Sequence, residues 1–211
     1  MISTALELLF PNRCVACLDW LDRSRRPFCG ACQSSLIAAP PTTIEAIEAI
    51  EAIEAIDQVR SAFLYQGAIV AAIVGLKRQA WRAAPLARCI APWAGCPQQL
   101  VIPVPLHWRR LRERGYNQGA LLANRLSGSE VDHLALRRVR ETVAQSSLSA
   151  PARRANVEGA FVADRERVVG RSVLLVDDVL TTGATVSACS TALRAAGAVR
   201  VDVLTIARTM P

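Results

Sequence analysis

Short apolar runs alternate with segments of helical periodicity from residue 59 to the end of the chain. The runs are rich in Val, Ile and Leu, and several of them lead into a helix-prone segment. Strands that are buried on both faces read as continuous apolar runs, so the alternation predicts an α/β fold with a parallel sheet and helices on both faces. The predicted strands are 59–65, 100–104, 172–176 and 201–206, and the predicted helices are 69–78, 119–126 and 186–196, the last ended by Gly197.

Residues 44–56 follow neither pattern, because four tandem Glu-Ala-Ile units come after Ile44. A period of three gives no single helix face, since the isoleucines precess by about 60° per unit, and on a strand they alternate between faces. We interpret the segment as a helix-prone linker with no chemistry of its own. It predicts a division into an amino-terminal module (1–41), a linker (42–57) and a main α/β domain (58–211).

Two carboxylates and a small, hydroxyl-rich loop follow the apolar run that begins at Val173. Carboxylates accept strong hydrogen bonds from sugar hydroxyls, and they also bind Mg²⁺. Small loop residues that lead into a helix let backbone N–H groups approach a phosphate. The segment therefore indicates a ribose-phosphate site, with a plain Asp-Asp turn capped by threonines as the alternative. The candidate residues are Asp177, Asp178, Thr181, Thr182, Gly183, Ala184 and Thr185.

Four cysteines near the amino terminus form two Cys-x-x-Cys pairs, Cys14 with Cys17 and Cys29 with Cys32. This spacing suits four thiolates that close tetrahedrally on one structural zinc ion. Disulfides are the alternative, but no secretory signal is recognisable before the first pair, so we expect reduced thiols in a cytoplasmic protein. The pattern predicts a zinc-ribbon-like module in residues 1–41.

The formal charge of +7 is concentrated in one region, since residues 101–171 hold 13 arginines against 7 acids. Arginine suits phosphate groups, and a basic face also attracts nucleic acid. The cluster from Arg109 to Arg114 is equally compatible with a solvated helix face. No apolar run reaches the roughly 18 residues that a membrane span needs, so no membrane span is expected.

Residues 173–185 resemble the phosphoribosyl diphosphate (PRPP) motif of type I phosphoribosyltransferases. Three further segments make the resemblance specific to one family. They are Ile-Pro-Val-Pro-Leu at 102–106, Arg-Gly-Tyr-Asn-Gln at 114–118, and Gln-Ser-Ser-Leu-Ser at 145–149 with the segment 154–161. Together with the four cysteines, they resemble the ComF family of competence-type proteins over nearly the whole chain apart from residues 44–56.

The resemblance implies roles for these residues. Asp177 and Asp178 would be the catalytic acids that hold the ribose hydroxyls, and the loop 181–185 would bind the 5′-phosphate. A loop beginning at Pro103 and Pro105 would bind pyrophosphate, and a flexible loop at about 137–154 would close over the substrate with Mg²⁺. The remaining residues assigned to these two loops are Arg114, Asn117, Gln118, Arg140, Gln145 and Arg154.

Three functions follow from this resemblance. The first is a Mg²⁺-dependent phosphoribosyltransferase that acts on an unknown acceptor in DNA uptake. The second is a non-catalytic DNA-uptake protein that binds single-stranded DNA and a helicase-type partner. The third is a regulator that senses PRPP. A fold alone does not decide between them.

Overall fold

The structure is a computed structural model that describes residues 12–21, 26–41, 55–94, 99–126, 128, 130–141 and 156–210. Most of the Glu-Ala-Ile segment lies outside the described residues, as do Gln145 and Arg154 of the predicted flexible loop. The predicted division at residues 41 and 57 stays a prediction.

A five-stranded parallel sheet forms the centre of the molecule, in the order β1-β7-β6-β2-β3. A separate antiparallel ribbon pairs β4 with β5. The predicted α/β class with a parallel sheet is therefore confirmed. The strands are β1 (Gln58–Leu64), β2 (Leu100–Pro103), β3 (Glu130–Val131), β4 (Leu136–Arg138), β5 (Phe161–Ala163), β6 (Ser172–Leu180) and β7 (Arg200–Arg208).

Seven α-helices are described in full, and they connect or flank these strands. Short 3-10 turns, Ala80–Arg82 and Ala91–Trp93, precede and follow the third helix. The helices are α1 (Gly30–Ser34), α2 (Ala68–Leu76), α3 (Ala83–Ile90), α4 (Trp108–Arg114), α5 (Gln118–Ala123), α6 (Arg165–Val168) and α7 (Ala184–Ala195).

Helices cover both faces of the sheet, as the sequence predicts. Val173 and Leu175 of β6 pack in one buried cluster with Val186 and Leu193 of α7. The intervening Leu174 belongs to the opposite cluster, together with apolar residues of α2, α3 and α5. Because successive strand residues point to opposite faces, one apolar run supplies both cores. The chain turns from α7 to β7 at Gly197, whose φ of +98° suits glycine.

The cysteine-containing segment packs on the sheet domain through α2 and the turn after it. Val15 and Phe28 are buried in the cluster that contains Ile69 and Ile73 of α2. The Arg82 guanidinium, which is only 5% exposed, donates a hydrogen bond to the Val15 carbonyl. Gly75 makes room for this arginine, since a Cβ atom there would lie 2.6 Å from Arg82 Nε. The module and the sheet domain thus share one apolar core.

Candidate functional site

The acidic pair lies in the part of β6 that extends past the end of its neighbour β2. β6 pairs with β2 only as far as Val176, which lies opposite Pro103, and then continues beside β7 alone to Leu180. The predicted end of this strand at residue 176 is therefore wrong, because pairing with β7 carries the strand four residues further. The β2 side is open at this point, so Asp177 and Asp178 border a cleft.

This cleft has a volume of about 350 Å³ and lies at the carboxyl end of β2. It gathers most of the residues that the sequence assigned to ligand binding, although they come from four separate parts of the chain. Those that line it are Pro105, Arg114, Gln118, Asp177, Asp178, Thr181, Gly183, Ala184 and Thr185.

The two acids lie close together, and Lys77 forms an ion pair with one of them. Asp178 is 3% exposed, and its Oδ2 lies 3.3 Å from Lys77 Nζ. Asp177 Oδ1 accepts a 2.8 Å hydrogen bond from the Asp178 backbone N–H. Burial, followed by the charge of Asp178, raises the pKa of Asp177 well above its ordinary value, while Lys77 opposes this rise. A hydroxyl or a cation would therefore relieve the repulsion between the acids.

The loop after β6 turns the chain toward the cleft before α7 begins. Gly183 has a φ of +77°, and its carbonyl accepts the Ser187 backbone N–H at 2.9 Å. The Thr182 hydroxyl is buried and finds no hydrogen-bond partner among the described residues. The 12-residue helix α7 begins directly after this loop, and the partial positive charge and unpaired N–H groups of its amino terminus favour an anionic ligand there.

The segment 114–119 is a connector that fixes two helices against the sheet. Gly115 ends α4 with a φ of +80°, and Tyr116 donates a 2.6 Å hydrogen bond to the Leu76 carbonyl. Asn117 caps α5, since its Oδ1 accepts from Gly119 N at 2.9 Å, and its Nδ2 donates to Val104 O at 2.9 Å. Asn117 does not line the cleft. Its side chain instead positions Gln118, which does.

The four thiols of the amino-terminal module converge and can hold a metal ion. Their sulfur atoms all lie within 4.8 Å of one another, and Cys17 Sγ is 3.7 Å from Cys29 Sγ. Tetrahedral zinc at its usual Zn–S distance separates sulfurs by about 3.8 Å, so the cluster fits. Burial opposes ionisation of Cys14, but backbone N–H groups of Cys29, Cys17 and Ala16 outweigh it and lower its pKa to about 7. A thiolate, which is the form that binds metal, is thereby favoured at Cys14, whereas burial and the neighbouring thiols raise the pKa of Cys32.

Two curated proteins are similar to this chain over about half of its length. Competence protein F of Haemophilus influenzae is 40% identical over 115 residues, which is 52% of this chain and 50% of that protein. DNA utilization protein YhgH of Escherichia coli K12 is 40% identical over 113 residues, 52% of this chain and 49% of YhgH. The chain is a homologue of competence protein F. The resemblance to the ComF family is thus confirmed over about half of the chain, and the chain spans about half the length of the curated relatives it matches.

The similarity to solved structures is more distant. A solved structure of the allosteric regulatory enzyme of purine biosynthesis is 26% identical, with a TM-score of 0.41, over 58% of this chain and 25% of that one. Glutamine PRPP amidotransferase from B. subtilis, complexed with ADP and GMP, gives a TM-score of 0.40 at 26% identity over the same shares. No protein-family model matches the chain.

Several predicted residues lie outside the cleft lining. Pro103 is buried at the end of β2, and Thr182 lies in the loop without bordering the cavity. Arg140 is exposed and donates to the backbone carbonyls of Asn156, at 3.2 Å, and Glu158. Arg140 therefore fastens the chain segment that leads into β5.

Four further residues with polar side chains line the cleft without having been singled out from the sequence, although Arg138 falls within the predicted flexible loop 137–154: Tyr65, Lys77, Arg110 and Arg138. Lys77 carried a signal, since it is the only lysine in a chain rich in arginine. Arg110 belonged to a cluster that was equally compatible with solvent. Arg138 lies on β4, where burial and then the charge of Arg110 lower its pKa. Basic residues from three separate parts of the chain therefore line the same cleft as the two acids.

No helix in the described part of the chain combines the length and apolar character that crossing a bilayer requires.

Proposed function

We propose that the cleft binds PRPP with Mg²⁺ and that the protein is a phosphoribosyltransferase of DNA uptake, acting on an acceptor not yet identified. The proposal rests on one observation above the others. The crowded acid pair, the loop that precedes α7 and three arginines line the same cavity. PRPP offers vicinal hydroxyls, a 5′-phosphate and a diphosphate, which match these three groups.

Each part of the ligand has a proposed partner. Asp177 and Asp178 accept hydrogen bonds from the ribose hydroxyls, and the loop 181–185 with the start of α7 binds the 5′-phosphate. Arg110, Arg114 and Arg138 lie where they can neutralise the diphosphate. Bound Mg²⁺ would shield the diphosphate charge and could contact a carboxylate oxygen.

The proposed reaction replaces diphosphate at the anomeric carbon by the acceptor. The carbon–oxygen bond to diphosphate breaks, the acceptor's nucleophile forms the new bond, and the departing charge is stabilised by the arginines. We propose that the cysteine module binds Zn²⁺ as a structural ion, since closed four-thiolate coordination leaves no open position for chemistry. A cytoplasmic location belongs to the same proposal.

The proposal is tested by calorimetric titration of the zinc-loaded protein with PRPP and Mg²⁺. We expect binding by the unaltered protein and none by Asp177→Asn/Asp178→Asn. Asp164→Asn is the matched control, because Asp164 caps α6, a task that asparagine also performs. Absence of binding by the unaltered protein, or equal binding by the acid-pair variant, would refute the proposal.

A second candidate function, single-stranded DNA binding, is supported by the tryptophans. Trp20 is 62% exposed with the Arg13 guanidinium 4.5 Å from its ring, and Trp108 is 57% exposed with that of Arg109 at 5.3 Å. Exposed aromatic rings beside arginine are typical platforms for stacked bases. The name competence protein F, which belongs to the relative, is compatible with DNA. A helicase-type partner would act with the protein in this function.

DNA binding makes its own prediction. Affinity for an oligothymidylate should fall steeply with salt, as expected for phosphate contacts, and should weaken in Trp20→Ala and Arg109→Ala. Asp177→Asn/Asp178→Asn should leave it unchanged. Binding that is insensitive to salt, or absent, would exclude this function.

A further inference from the structure

A second cavity, of about 620 Å³, lies at the edge of the sheet opposite the cleft. Its lining includes Gln58, Ser172 and Arg200, which are the first residues of β1, β6 and β7, and Gln99, which directly precedes β2. The strands are parallel, so their beginnings meet at one edge and their ends at the other. The cavity is therefore separate from the proposed PRPP site.

The strand register shows that several polar residues at this edge share one face of the sheet. Gln58 and Leu174 both lie opposite Asp202 of β7, and Arg60 lies opposite Leu204. These residues consequently share one face of the sheet. On the same face Leu174 and Leu204 are buried in the core, but the positions beside them carry the amide of Gln58, the carboxylate of Asp202 and the guanidinium of Arg60. Solvent alone does not account for them, because Gln99 and Asp202 are each only 8% exposed.

Gln99 has one satisfied and one unsatisfied amide atom. Its Nε2 donates a 2.7 Å hydrogen bond to Asp202 Oδ2, which fixes the amide orientation, since the opposite orientation would set the amide oxygen against the carboxylate. Gln99 Oε1 is buried and has no hydrogen-bond partner within the part of the chain that the structure describes. Buried acceptors are nearly always paired in folded proteins, so this atom calls for a donor from a ligand.

The rest of the lining indicates what that ligand carries. Trp93 is 37% exposed at the end of the 3-10 turn that follows α3, and its aromatic side chain lines the cavity. Arg60 is exposed on β1, and Arg200 is oriented by Asp202, with Nε 3.0 Å from Oδ2. An aromatic wall, a buried acceptor and two guanidinium groups suit a flat heterocycle with an N–H donor and an anionic tail.

We propose that this cavity binds a nucleoside 5′-monophosphate, with its base against Trp93, a base N–H donated to Gln99 Oε1, and its phosphate near Arg60. The cavity volume is in the range of small-molecule sites. The site is independent of the cleft, so the protein can hold a nucleotide and PRPP together.

The test is calorimetric titration of the zinc-loaded full chain with AMP, GMP, CMP and UMP. At least one nucleotide should bind, and its affinity should fall about fivefold or more in Trp93→Leu, through lost stacking. Arg60→Gln should weaken binding as well, whereas Arg165→Gln, an exposed arginine on α6, is the matched control and should not. Circular dichroism of each variant checks that the fold is retained.

The cleft could also accept a nucleotide, and two measurements separate the sites. Binding at the proposed cavity should persist in Asp177→Asn/Asp178→Asn and in the presence of saturating PRPP and Mg²⁺. Binding that is lost in the acid-pair variant and retained in Trp93→Leu would place the nucleotide in the cleft and overturn the inference. Failure of all four nucleotides to bind, or binding that none of the variants alters, would overturn it too.

Discussion

Asn117 should contribute to stability, because its side chain makes contacts at both ends of its amide. Its Oδ1 caps α5 through Gly119 N, and its Nδ2 donates to the carbonyl of Val104, a residue that is 4% exposed. Replacement by alanine removes both contacts. Replacement by serine keeps a cap and removes only the contact with Val104, so the pair of variants separates the two contributions.

The expected magnitudes follow from these contacts. Loss of an N-cap costs about 1 kcal/mol. A buried carbonyl that loses its donor costs about 1–3 kcal/mol. We therefore expect Asn117→Ser to lower the free energy of unfolding by about 1–3 kcal/mol and Asn117→Ala by about 2–4 kcal/mol.

Urea unfolding of the zinc-loaded protein, followed by circular dichroism, measures these differences. Asn124→Ala is the matched control, since Asn124 lies at the other end of α5 and its exposed side chain is 2.9 Å from His133 Nε2. That change should cost about 0.5 kcal/mol or less. If Asn117→Ala is as stable as the control, Asn117 is not the cap of α5, and the connector does not hold Gln118 in the cleft.

Three further predictions concern the surroundings of the site. Gly119→Ala should lower the free energy of unfolding, measured in urea, by about 1–2 kcal/mol. The alanine Cβ would lie 2.9 Å from the Val176 carbonyl oxygen, and this strain exceeds the gain in helix propensity. A more stable variant would contradict this close approach. Cys29→Ser should release the metal, and elemental analysis that still finds one zinc per chain would refute four-thiol coordination. Lys77→Met should raise the pKa of Asp177 further, since Lys77 lowers it. Affinity for PRPP with Mg²⁺ needs ionised acids, so it should fall as the pH decreases. Calorimetry across a pH series should show that this fall begins at a higher pH in Lys77→Met than in the unaltered protein. An unchanged pH profile would show that Lys77 does not act on the acid pair.

The architecture could be predicted from the sequence because the core strands are uninterrupted apolar runs. The run 173–176 is apolar throughout, and a strand buried on both faces needs that pattern. The extension of β6 to Leu180 could not be read in the same way. Its acidic residues resemble a turn, and only the pairing with β7 keeps them in a strand.

The role of a polar residue was harder to predict than its position in a motif. Asn117 stands in a segment associated with ligand binding, yet its donor and acceptor are both used on the backbone. Arg138 reaches the cleft from β4, which is distant in sequence from the acid pair. Such contacts depend on how the elements pack, and local periodicity carries no information about them.

The most direct test of the central claim is a crystal structure of the zinc-loaded protein with PRPP and Mg²⁺. We expect density for the ligand in the cleft, with its ribose hydroxyls on Asp177 and Asp178 and its 5′-phosphate at the loop 181–185. Ligand density elsewhere, or a cleft that stays empty at saturating PRPP, would contradict it.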